Sequence, residues 1–320
     1  MMRRRRARVS GWAIAVGVFV GALVGTALWA PGRLGARRRP GAAESPLAIA
    51  PIPGAPGTGA PHAEIDPDWL IQQARALPAA LTAVYFQEPG RRAIGYLEEE
   101  PVPAASVIKL AIMATLYERW ERGSLPRLPE DEARLRRMIT RSDNQAANTL
   151  IDRLGMDTVN NFLRRQGCAI SSLRRKIQIS PRGEDENVVT AREMGLLLAR
   201  MLTGELVGPT ASAEMAAWLR QSERRTRISA LLPKGTPCGS KTGTLRGLVH
   251  DVGFVQAAGR RWVLCLLTAG VRDVPGVERG MARLSRAIYN RLADAGRQPS
   301  ANSPQESAEA LAHSNIASSQ

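Results

Sequence analysis

Ser106 and Lys109 stand three residues apart in Ser-Val-Ile-Lys, where an extended stretch gives way to an apolar helical pattern. Residues i and i+3 share a helix face, so a hydroxyl and an amine would project side by side at a helix start. A serine hydroxyl is a poor nucleophile until a base takes its proton, and a buried, neutral lysine can be that base. The first turn of a helix also presents unpaired N–H groups, a favourable place for a developing oxyanion. Alone the pair is weak, because Ser commonly caps helices and a first-turn Lys is usually solvated. Composition adds weight: of 44 basic residues only Lys109, Lys176, Lys234 and Lys241 are lysines. Arginine keeps its proton at any useful pH, so a lysine retained in so arginine-rich a chain suits chemistry that arginine cannot do.

Two further motifs follow in order. Ser142-Asp143-Asn144 lies between two helical patterns and would by itself pass for a helix cap. Lys241-Thr242-Gly243-Thr244 ends a strand-like run and would by itself be a polar strand end with a glycine bend. Together with Ser106-x-x-Lys109 they resemble the S-x-x-K, S-D-N and K-T-G set of the β-lactamase and penicillin-binding-protein superfamily. The resemblance covers about residues 63–295 and is nearest the class A-like branch, with further likeness in Asn144–Asn148, Glu186-Asn187 before Thr190, Thr244–Gly247 and His250–Gly253.

That resemblance implies roles. Ser106 would be the nucleophile and Lys109 its base, the latter with its pKa depressed by burial and by Lys241. Ser142 would relay the proton to the leaving nitrogen, and Asn144 would orient Lys109 and the substrate amide. Lys241, Thr242 and Thr244 would hold the substrate carboxylate, with Gly243 between them, and the backbone N–H groups of Ser106 and Thr244 would form the oxyanion hole. The implied substrates are β-lactams or cell-wall peptides. The same site could serve a D-alanyl-D-alanine peptidase, a cell-wall amidase or a slowly acylating sensor.

One part of the class A pattern is missing. A Glu-x-x-Leu-Asn stretch, whose acid activates the deacylating water, is replaced here by the basic and apolar Leu173–Ile179. Nearby acids are Glu184, Asp185 and Glu186, of which Glu184 and Glu186 are candidate deacylation bases; the plainer reading is a solvated loop acid or a loop-ordering contact. A Ser106, His250, Asp251 triad is disfavoured, because adjacent strand residues point to opposite faces.

The elements that must position these groups follow from periodicity. A short helix over Trp69–Leu77 precedes strands Leu81–Phe86 and Ala93–Leu97 across a Pro89-Gly90 turn. Helical patterns open at Ser106, Glu130, Asn144, Asp157 and Thr190, the last with a Thr190-x-x-Glu193 capping box. Short strands Cys238–Gly243, Val252–Val255 and Trp262–Thr268 precede an amphipathic helix over Gly276–Ala293. Strands at both ends with helices between imply an α+β fold, an antiparallel sheet built from the two ends of the domain and an all-helical insertion.

Composition bounds the rest. The net charge of +15 suggests nucleic acid, yet nine Arg and no acid lie in residues 1–39. Without them about +6 remains, spread thinly and without interleaved aromatics, so no nucleic-acid partner is expected. Residues 1–10 are basic and residues 11–30 carry no charge, with Trp12 and Trp29 near the ends; twenty residues match a hydrocarbon core about 30 Å thick. A membrane signal anchor over 11–30 is expected, then a Pro/Gly/Ala-rich linker over 31–62, a hydrolase domain over 63–296 outside the cytoplasm and a loose tail over 297–320. Cys168, Cys238 and Cys265 have no metal-ligand spacing, so neither metal nor cofactor is expected; one disulfide at most could form, and a monomer is expected.

Overall fold

The computed structural model describes residues 64–178 and 186–294. The basic segment, the anchor over 11–30, the linker, the tail and Glu184 lie outside the described residues. Among the described residues no helix is long and apolar enough to cross a membrane.

Helix α1 (Pro67–Arg75) starts where Asp66 accepts the N–H of Trp69 at 2.7 Å and Pro67 supplies a preset first-turn φ. Strands β1 (Leu81–Gln87) and β2 (Ile94–Tyr96) follow, and the last third contributes β5 (Cys238–Leu245), β6 (Leu248–Ala257) and β7 (Arg260–Ala269). They form one antiparallel sheet in the order β2-β1-β7-β6-β5, so the two ends of the domain meet at the β1–β7 seam. The β6–β7 hairpin closes through Ala258 and Gly259, both at positive φ, as a two-residue turn matched to strand twist requires. Both strands run further than their apolar cores suggested: β6 takes in the buried polar His250 and Asp251, and β7 begins with the half-buried Arg260 and Arg261.

Alternation along β7 explains the layers. Val263, Cys265 and Leu267 face the helical middle of the chain, while Trp262, Leu264 and Leu266 face α1 and α8 (Val274–Asp294). With both faces covered, these strands read as nearly unbroken apolar runs.

The helical middle comprises α2 (Lys109–Glu121), α3 (Pro129–Thr140), α4 (Asn144–Leu154), α5 (Met156–Arg165), α6 (Ala191–Thr203) and α7 (Pro209–Arg220). Helix α2 is apolar almost all round and is buried accordingly, which is what takes Lys109 out of water. The α2 boundary differs from the sequence expectation: the regular helix opens at Lys109, and Ser106 belongs to a tighter entry turn. Two short strands, β3 (Val102–Pro103) and β4 (Val188–Val189), pair with each other and tie the approach to Ser106 to the segment after Glu186. Neither two-residue strand is long enough to carry a periodic signal.

Candidate active site

Ser106 follows Ala105, which holds φ at 46°, an unusual left-handed conformation for a residue with a Cβ. The turn is fixed by Val107 N–H donating to Ala104 O (3.1 Å) and Lys109 N–H to Ser106 O (3.3 Å). These are i to i+3 bonds, in which residues three apart eclipse, so Ser106 and Lys109 keep a common face although the α-helix proper begins later.

Lys109 Nζ donates to Ser142 O at 2.7 Å and Asn144 Oδ1 at 2.6 Å, and lies 3.3 Å from Ser142 Oγ. Burial pulls its pKa down to about 7, with Arg224 acting in the same direction and Asp143 opposing. Lys241 Nζ reaches the same Ser142 Oγ at 3.0 Å and Thr242 O at 2.9 Å. Its pKa falls well below the ordinary lysine value, first through burial and then through the Lys109 charge. One hydroxyl therefore lies between two amines.

Ser142 is aimed there by its own strained backbone, φ 61°, in the link between α3 and α4. The capping function of the triplet falls to its middle residue: Asp143 accepts the N–H of Ala146 at 3.0 Å and pairs with Arg137 at 3.2 Å. That backbone donor, with Arg137 helping, holds the Asp143 carboxyl below its usual range. Ser142 and Asn144 are thereby left to face Lys109.

Gly243 lies where β5 passes the entry turn. A Cβ there would come within 3.1 Å of Ala105 Cβ and 3.2 Å of Ser106 N and Val107 Cγ1, tighter than ordinary contact. Thr242 and Thr244 line the cleft on either side of it. Arg227, which sequence reading did not single out, supports this strand from a buried position. It donates to Gly243 O (3.0 Å), His250 O (2.5 Å) and Thr244 Oγ1 (2.6 Å) and pairs with Glu278 (3.0 Å).

His250 does not face Ser106. Its Nε2 bonds Pro103 O at 2.9 Å and its Nδ1 accepts the N–H of Thr268 at 3.1 Å, so the ring is neutral with its proton on Nε2. Burial drives its pKa to about 4. Asp251 accepts the N–H of Ile228 on the other side of the strand, and burial raises its carboxyl pKa. The three cysteines are buried and free, and burial pushes the thiols of Cys168 and Cys238 up to about 12.

On the flank of Ser106 opposite to that of Lys241 runs the segment from Ile170 to Gln178. Four side chains clasp its backbone. Glu193 takes the N–H groups of Ile170 and Ser171, Asn160 brackets Leu173, Asn187 Oδ1 takes those of Arg174 and Arg175, and Asn148 brackets Ile177 at 2.7 and 2.9 Å. The expected capping box is therefore half formed. Thr190 Oγ1 accepts the N–H of Glu193, but the Glu193 carboxylate is spent on the neighbouring segment. A cavity of about 80 Å³ between this segment and the entry turn is lined by Ser106, Asn144, Ile177, Gln178, Glu186 and Thr244. Glu186 is paired with Arg175 at 3.6 Å.

The geometry can be set beside known proteins. The model of the beta-lactamase enzyme family matches residues 132–292, about half of the chain. The chain belongs to that family. The matched stretch includes Ser142, Asn144 and Lys241–Thr244 and begins after Ser106 and Lys109. A Rhodobacter capsulatus protein named beta-lactamase is 27% identical over 151 residues, covering 38% of this chain. This chain spans about half the length of that relative, 52%. Among solved structures, a beta-lactamase from Sphaerobacter thermophilus matches at TM-score 0.66 and 26% identity, over 73% of this chain and 100% of the other. PBP-A matches at TM-score 0.63 and 22% identity, over 70% and 94%. An ancestral class A beta-lactamase matches at TM-score 0.63 and 22% identity, over 70% and 98%. The α+β architecture of this beta-lactamase family member, an antiparallel sheet with flanking helices, is the one these proteins share.

Proposed function

We propose that the protein is a serine hydrolase that opens β-lactams through an acyl-Ser106 intermediate. The observation that carries this reading is the Lys109 amine: buried, with a pKa of about 7, and bonded to two acceptors that have no proton to give. A neutral amine spends its two hydrogens on Ser142 O and Asn144 Oδ1 and keeps its lone pair for a hydroxyl proton.

In acylation, Ser106 Oγ bonds to the lactam carbonyl carbon while its proton passes to Lys109 Nζ. The carbonyl oxygen takes up the negative charge, with the backbone N–H groups of Ser106 and Thr244 as its donors. Collapse breaks the C–N bond, and the leaving nitrogen receives its proton through Ser142 Oγ, which lies within reach of both amines. Lys241, Thr242 and Thr244 take the substrate carboxylate, and Arg227 orients the Thr244 hydroxyl. Release requires water to attack the ester carbon, with a base to accept its proton and return it to Ser106 Oγ. Among the described residues Glu186 is the acid lining the cavity on that side, and we assign it this role.

A second reading, a D-alanyl-D-alanine peptidase using the same site, is favoured by Ile177, an apolar side chain in the wall where a water-activating acid would serve hydrolysis. Intact-mass spectrometry after mixing with a penicillin separates the two. The hydrolase reading expects an adduct on Ser106 that decays within seconds, persists in Glu186→Gln and is absent in Ser106→Ala. An adduct persisting for hours in the wild type supports the peptidase. No adduct in folded wild-type protein would sink both. The charge-free stretch over 11–30 further supports a membrane-anchored enzyme acting outside the cytoplasm, which fractionation of the full chain would test.

A further inference from the structure

The larger space beside Ser106, about 480 Å³, lies on the Ser142 and Thr242 side of the cleft. Under the acylation scheme proposed above, on which the following rests, Ser142 protonates the departing nitrogen. Whatever that nitrogen carries must therefore occupy this space. Two charged side chains line it, Asp143 and Arg224. Asp143 is engaged by Arg137 and by the α4 N-terminus. Arg224 is exposed, and no carboxylate pairs with it among the described residues. The neighbouring acid, Glu223, is taken by Arg141 at 2.8 Å.

The loop that carries Arg224 is fixed at both ends. Before it, Glu223 N–H donates to Thr140 O at 3.0 Å and Ser222 N–H to Leu219 O at 3.2 Å. After it, Arg227 is locked by its bonds to β5 and β6 and by Glu278. A loop whose backbone is anchored on both sides of Arg224 needs less ordering when that side chain meets an anion than a loose loop would. Its charge is permanent, unlike those of the two buried lysines.

We infer that Arg224 is a specificity-determining contact for a second anionic group on the leaving part of the substrate, beyond the carboxylate that Lys241, Thr242 and Thr244 take. The substrate class is thus a β-lactam or peptide whose leaving-nitrogen side, tethered in the lactam and released in the peptide, carries at least two negative charges. The same charge also bears on both Lys109 and Lys241, depressing each, so that Arg224 replacement alters the base as well as the subsite. A test must separate these effects, and a ratio of substrates does so, because a changed Lys109 affects every substrate alike.

The probe is a set of three cephalosporins sharing one acyl side chain and the ring carboxylate, with an anionic, a neutral or a cationic substituent on the ring's leaving side. Second-order rates of Ser106 acylation are measured by intact mass for the full-length wild type, Arg224→Ala and Arg224→Glu. The wild type is expected to favour the anionic over the cationic compound by about threefold to tenfold at low salt, the scale of one exposed charge contact. The preference should shrink toward unity in Arg224→Ala, invert in Arg224→Glu and weaken as salt rises from about 0.05 to 0.3 M. A preference identical in all three proteins, or a uniform loss across all three substrates, would overturn the inference while leaving the acyl-serine reading intact. Absence of Ser106 acylation by every compound would overturn both.

Discussion

The two flanks of Ser106 are built differently. On one side, two buried amines share a single hydroxyl, and Ser142 O, Asn144 and Thr242 O close the network with bonds of 2.6 to 3.3 Å. On the other, the backbone of the Ile170–Gln178 segment is held as firmly, by Glu193 and three asparagines, yet the side chain presented at Ile177 is a hydrocarbon. Precision of construction is equal on the two flanks, and only the chemistry differs. Polar groups that bond the backbone fix a wall in place, whereas polar groups that bond each other shift pKa values and can move a proton. The first flank is thus equipped for acylation in the proposed reaction, and the second offers, among the described residues lining the cavity, one acid, Glu186, paired with Arg175.

The sharpest way to break that contrast is to remove the amine. Lys109→Met should lower the acylation rate by roughly a hundredfold to ten-thousandfold, the usual range for a lost general base. In the wild type the rate should rise as pH passes about 7, where Lys109 loses its proton, and rate measurements across pH would show that limb. The same group leaves a mark on stability. Folding lowers this pKa from the ordinary 10.5 to about 7, so between those values the unfolded chain holds a proton that the folded chain has released. Stability must therefore increase with pH across that window, by up to a few kcal/mol, and denaturant titrations of Lys109→Met should lack that part of the rise. A pH-independent acylation rate would remove Lys109 from the role of base.

The contrast can also be narrowed from the other flank. Ile177→Glu places a carboxylate in the small cavity beside Ser106 and should shorten the lifetime of a penicillin adduct by about tenfold or more. It should also cost about 1–3 kcal/mol for the loss of apolar packing and the burial of a charge, read in thermal unfolding. An unchanged lifetime in the folded variant would mean that water does not approach from this side.

Smaller still is the effect expected of Gly243→Ala. Its methyl group meets Ala105 Cβ, Ser106 N and Val107 Cγ1 at 3.1 to 3.2 Å, so β5 and the entry turn must separate by a few tenths of an ångström. Acylation should slow by roughly tenfold, as expected when a nucleophile is displaced from its donors. At the bottom of the scale, Lys176→Ala removes an exposed pair with Asp152 and should change stability by no more than about 0.5 kcal/mol. A larger loss would mean that the clasped segment depends on its surface charges as well as on its asparagines.

The three ordered motifs were legible because each packs several chemically constrained residues into three or four positions, and the geometry brings all three to one cleft. The sheet drawn from both chain ends was legible from apolar runs, as was the amphipathic α8. Arg227 left no trace among forty arginines, because its meaning comes from contacts with β5 and β6 that no local pattern encodes. The clasps by Asn148, Asn160 and Glu193 were equally hidden, since each joins a side chain to a backbone well removed in sequence. Helix α7 escaped because its alanine-rich face carries little periodic contrast. The Ser106-x-x-Lys109 spacing reads as helical because a hydrogen-bonded turn closed by an i to i+3 bond and a helix start display the same spacing.

The β1–β7 seam also governs how the molecule is made. Phe86 pairs with Leu264 and Leu81 with Ala269, so the first strand, which has β2 on one edge from the start, finds the partner for its other edge only after roughly 180 further residues have been synthesised. The helices from α2 to α7 can associate through nearer neighbours, assembling Ser106, Lys109 and Ser142 early, while β1 waits with that edge unpaired. Lys241 arrives with the late strands. Refolding should therefore show helical signal ahead of penicillin reactivity, with the second amine delivered by the slowest step in the folding of the sheet.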